Sequence, residues 1–96
     1  MDKLKKVSAE YFFNAIVSLE NFEDAQTFFK IFCTDKETQL IAQRLYVAKL
    51  LSENKVYTEI VEKTGASSAT VSRVKRAMEI DREYFDKLLG TLNEQL

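Results

Sequence analysis

Apolar residues return every three or four positions through nearly all of this chain, and polar breaks divide the pattern into six helical stretches. The first, "SAEYFFNAIVSLE" at 8–20, opens on Ser8, whose hydroxyl suits an N-cap. Asn21 caps the next, "FEDAQTFFKIFC" at 22–33, whose Glu23 and Asp24 lie at the positive end of the helix dipole. "TDKE" at 34–37 has the capping-box pattern, with Thr34 at the cap and Glu37 three residues on, and it starts a long helix reaching about Glu53. Shorter helices are predicted over 57–64 and 68–79, and a last one runs from about Asp81, a natural cap, to the end. Val56 stands where a capping hydroxyl would help, so the 57–64 helix has the least secure start.

Composition narrows this to an all-α helical bundle. The 96 residues hold no proline and two glycines, which disfavours turn-rich β structure, and 46% are apolar, which disfavours disorder. Length and the absence of a linker predict a single domain over 1–96: N-terminal helices (1–33), a long core helix (34–54), a helix-turn-helix (56–79) and a C-terminal helix (80–96). The apolar runs are too short to span a membrane, and "MDKLKKVSAEYFF" begins basic without reaching an apolar leader core, so a cytoplasmic protein is expected. Histidine is absent, Cys33 is the single cysteine, and there is no glycine-rich loop. No metal site, cofactor or catalytic constellation is therefore expected, and the chain does not read as an enzyme.

Six of the seven phenylalanines lie within 12–32. Each buries about 150–250 Å², more than two short helices cover in one small monomer. The long helix has a similar surplus: Leu40, Ile41, Leu45, Ala48 and Leu51 make one face, and Tyr46, Val47 and Leu50 widen it. The surplus favours a homodimer over a dense monomeric core. Tyr11, Tyr46 and Tyr57 sit among apolar neighbours and read as core, and Cys33 reads as a small buried hydrophobe rather than a redox sensor.

The segment "EIVEKTGASSATVSRVKRAM" at 59–78 carries the functional signal. Ile60, Val61 and Thr64 face inward, Gly65 suits a left-handed turn, Ser67 or Ser68 caps a second helix, and Val71 and Val74 turn it inward with Ala66. Small residues then cations remain outside, as a helix entering the major groove by its N-terminal end requires. The net charge of −1 hides an uneven distribution: residues 55–76 carry five cations against Glu59 and Glu62, a local +3, whereas 77–96 sum to −3. Ser67, Ser68, Ala69, Thr70, Ser72, Arg73, Lys75 and Arg76 are the candidate contacts to double-stranded DNA. Glu59 and Glu62 make the first helix of the pair a poor phosphate binder. The alternative is a helical hairpin that docks another protein.

"TGASSATVSRVKRAM" resembles the recognition segment of the Trp repressor superfamily, and "QLIAQRLYVAKLLSENKVYTEIVEKTGASSATVSRV" is similar to its TrpR-related YerC/YecD group. The likeness covers about 32–79. It implies an intertwined all-α homodimer, a transcriptional regulator acting as a repressor, and base-facing positions at Ser68, Ala69 and Ser72. In the Trp repressor, tryptophan sits between the long helix and the recognition helix, held by two arginines beside a glycine. One arginine corresponds to Arg73, but Gln43 stands for the other, Val74 for the glycine, and Ala77 for a nearby serine. These departures predict a filled pocket and no response to L-tryptophan. Either Val74 then locks the two helices at a DNA-competent spacing, or another small molecule binds elsewhere.

Overall fold

Ser8 opens helix α1 (Ala9–Val17) by accepting a hydrogen bond from the Tyr11 amide at 3.2 Å. The computed structural model describes residues 5–95, with side chains through Asn93. The basic start at 1–4 and the final Leu96 lie outside them. Helix α1 stops at Val17 rather than Glu20. The Ser18 hydroxyl donates to the Ala15 carbonyl at 2.7 Å, while the Glu20 amide donates to Asp24 Oδ2 at 3.1 Å. Asn21 accepts from the Asp24 amide at 2.8 Å, so residues 20–24 form a reciprocal cap for α2 (Phe22–Phe32). Extended backbone at Cys33 ends it, and that thiol is half-buried rather than buried.

In the unit that ends at Lys36, Phe28 is the aromatic hub. Its ring centroid lies 6.3 Å from Phe12, 5.3 Å from Phe29 and 5.0 Å from Phe32. Neither helix buries a residue completely, and Tyr11 (81%), Phe22 (75%) and Phe32 (70%) stand largely in solvent. The core placement expected for Tyr11 is thus not met within the chain.

The unit from Glu37 onward is built on α3 (Asp35–Ser52), followed by α4 (Tyr57–Thr64), α5 (Ser68–Ile80) and α6 (Arg82–Gln95). Two clusters grip α3. Val47 and Leu50 join Ile60, Ala66 and Val71. Ala48, one position round the helix, joins Met78 and Leu89. Leu51 and Val74 touch both, which explains an apolar surface wider than one stripe. Over positions 40–46 the helix keeps Leu40, Ile41, Leu45 and Tyr46 exposed, so Tyr46 also departs from its expected core position. Asn54, at φ 63°, terminates α3 as the Lys55 amide returns to the Leu50 carbonyl. Lys49 and Glu53 pair at 2.6 Å across its last turn. Asp81 separates α5 from α6, and its carbonyl accepts from the Phe85 amide. Among the described residues there is no strand, and no helix is long and apolar enough to cross a membrane.

Candidate nucleic-acid interface

The connection from α4 to α5 is three residues long and is tied by a series of short-range hydrogen bonds. Gly65 adopts φ 74°, a conformation that penalises any side chain, and its amide closes on the Val61 carbonyl at 2.9 Å. The Thr64 hydroxyl donates to the Ile60 carbonyl at 2.7 Å and accepts from the Ala66 amide at 3.1 Å. Ala66 is buried under the turn. Ser67 Oγ then accepts from the Thr70 amide at 3.1 Å and bonds Thr70 Oγ1 at the same distance, fixing the first turn of α5. The N-terminus of α5 is thereby set rigidly on the Val47–Ile60–Val71 core.

Val71 and Met78 are buried and Val74 is half-buried, which orients the rest of α5. Ala69, Ser72, Arg73 and Arg76 fall at i, i+3, i+4 and i+7 and form one outer stripe, with Ser67 and Ser68 exposed at its head. Thr70 is half-buried and committed to the cap. Lys75 stands apart. Its ammonium lies 5.8 Å from the Tyr57 ring centroid, over the start of α4. On α4, Lys63 and Glu59 pair at 3.0 Å, and that hydrogen bond raises the lysine pKa. The cation of the first helix is thus neutralised by its neighbour, and of the two helices α5 alone carries net positive charge.

Beside α5 lies a cavity of about 540 Å³ against α3 and Phe85 of α6. Val74 forms part of its wall, with Ala77 and Arg73. Gln43 is not in the wall at all; its amide donates to the Thr64 carbonyl at 3.0 Å, and Arg44 lines the cavity instead. Helical arithmetic gives the reason. Gln43 precedes Val47 by one turn and shares its face, whereas Arg44 precedes Ala48 and shares the other. Counting back from the two core faces would have found Arg44. Thr70, the other polar lining residue, lies one turn before Val74 in the same way. No cluster of three or more metal-ligating side chains occurs among the described residues.

Residues 8–93 match the Trp repressor protein family. The uncharacterized protein YerC of Bacillus subtilis (strain 168) is 40% identical over 94 residues, covering 98% of this chain and 90% of YerC. The crystal structure of a TrpR-like protein from Eubacterium eligens ATCC 27750 superposes with a TM-score of 0.81 at 42% identity, covering 88% of this chain and 87% of that one. A candidate Trp repressor from Staphylococcus aureus gives 0.80 at 39% identity, covering 88% and 84%.

Proposed function

This chain belongs to the Trp repressor family, and from that premise we propose that it is a cytoplasmic, sequence-specific DNA-binding regulator acting as a homodimeric repressor. The observation that carries the reading is the stripe of small residues followed by arginines on α5, seated on a turn that the core and its hydrogen bonds immobilise. Ser67, Ser68 and Ala69 present little bulk, so the positive end of the α5 dipole approaches phosphates and base edges closely. Ser72 follows on the same face, and Arg73 and Arg76 reach the flanking backbone. Lys75, drawn over Tyr57, contributes less. Two such helices in a dimer meet successive major grooves when they lie about 34 Å apart.

Selection of bound duplexes from a random pool, followed by mobility shifts across a salt series, tests the reading. Arg73→Ala and Arg76→Ala are each expected to weaken binding and to lower the salt slope by about 1 per lost phosphate contact. Undiminished binding in both variants removes α5 from the interface. Absence of any salt-sensitive duplex binding by the wild type favours a protein-docking role for the same helices.

A further inference from the structure

We propose that Gln43 is a positioning residue for DNA recognition, a built-in clamp that holds the turn between α4 and α5 against α3 without a ligand. The proposal rests on the DNA-binding reading above and names what keeps the reading helix in place.

Thr64 closes α4, and its carbonyl is among those a helix end leaves without an intrahelical partner. Gln43 supplies the missing donor from 21 positions earlier in the chain, at 3.0 Å and in a half-buried setting. The chemistry fixes which end of the amide points there: Oε1 against a carbonyl would set two acceptors face to face, so Nε2 makes the contact. Thr64 is also the residue whose hydroxyl ties Ile60 to Ala66, and Ser67 caps α5 three residues later. A restraint on Thr64 is therefore transmitted to the N-terminus of α5 through a short segment held by the Gly65 and Ala66 amides and the Ser67 cap.

Position on α3 makes the clamp effective. Gln43, Val47 and Leu50 form one stripe, so α3 grips the α4–α5 pair at two levels. Val47 and Leu50 provide an apolar hold with little directional preference. One turn away, a directed hydrogen bond fixes the rotation that apolar packing leaves free. A Cβ at Gly65 would lie 3.8 Å from Gln43 Nε2, in ordinary contact, so the amide and the turn are fitted to each other. The clamp belongs to the chain itself, so the α5 tip is held in its DNA-facing position whether or not the neighbouring cavity is occupied.

The test uses Gln43→Glu, which keeps the shape and makes the donor titratable, beside Gln43→Ala. Ionised glutamate opposes the Thr64 carbonyl, while protonated glutamate donates to it. The clamp in Gln43→Glu is thus present at low pH and lost as pH rises through the carboxyl pKa. Relative to wild type at each pH, its duplex affinity is expected to be about five- to tenfold weaker near pH 7.5, the range of one hydrogen bond, and restored as pH falls to about 4, where a glutamate of ordinary pKa near 4.3 is mostly protonated. The deficit of Gln43→Ala is expected not to change with pH. A Gln43→Glu affinity matching wild type at both pH values, or a deficit unaffected by pH, overturns the clamp. Amide hydrogen exchange supplies a readout that needs no DNA: Gly65 and Ala66 are expected to exchange faster in Gln43→Ala while the amides of α6 do not. If wild type binds no duplex, the DNA reading fails, and the exchange result still decides the clamp: unchanged Gly65 and Ala66 rates refute it.

Discussion

The two glycines of this chain predict opposite outcomes from the same substitution. At Gly65, φ 74° is the obstacle rather than crowding, because the nearest atom to an added Cβ is Gln43 Nε2 at 3.8 Å. Gly65→Ala is expected to lower unfolding stability by about 1 kcal/mol. Gly90 lies within α6 with nothing within 4 Å of an added methyl, and Gly90→Ala is expected to raise stability by about 0.5–1 kcal/mol through a more restricted unfolded chain. Denaturant titration of both proteins measures the two signs side by side. With Gln43 occupied at Thr64, the pairing of α3 with the turn needs no bridging ligand. Saturating L-tryptophan is expected to change duplex affinity by less than about twofold, since a ligand shifts an equilibrium only through different affinities for its two states. Calorimetry together with mobility shifts checks this, and micromolar binding that tightens DNA affinity refutes it. The left-handed turn and the Ser67 cap were legible in "TGASS", since only certain residues tolerate those roles. The direction of Gln43 was not, because it depends on which faces of α3 meet which cluster.

At the scale of elements, boundaries were legible wherever a side chain closes an orphaned amide. Ser8 and Asn21 cap as their positions suggested, and of the two serines open for α5 the cap is Ser67. The end of α1 was missed because Ser18 and Asp24 redirect the backbone through contacts that no apolar spacing encodes. The faces of α3 were equally hidden: an apolar surface that wide fits several packings, and only Ala48 against Met78 and Leu89 shows that two clusters share the helix. Helix α4 is the weak member. Val56 stands at its N-cap with extended backbone, makes no side-chain cap and is 64% exposed. Val56→Ser therefore removes little buried area and supplies a hydroxyl to free amides, and is expected to stabilise the protein by about 0.5–2 kcal/mol. Thermal unfolding measures it, and a lowered midpoint would show that Val56 packs against something the isolated chain does not contain.

For the whole molecule, the decisive fact is where apolar surface remains. Tyr11, Phe13, Phe22 and Phe32 in the first unit, and Ile41, Leu45 and Tyr46 on α3 in the second, are all exposed in a single chain. A monomer in water rarely keeps apolar patches beyond a few hundred Å². Each aromatic contributes about 150–250 Å² on burial, so a partner copy covering several of them gains far more than the hydrogen bonds of one turn. A homodimer is expected: sedimentation equilibrium at micromolar concentration should return twice the 11.1 kDa chain mass, and the unfolding midpoint should rise with concentration. The sign of one substitution separates the alternatives. If Phe22 and Phe32 face water, Phe22→Ser with Phe32→Ser leaves stability unchanged or improves solubility alone. If they lie between two copies, the same pair of changes lowers stability, halves the mass and removes duplex binding, because a lone subunit offers one helix tip where two successive grooves require two. A monomeric wild type with undiminished duplex affinity would overturn the dimer outright.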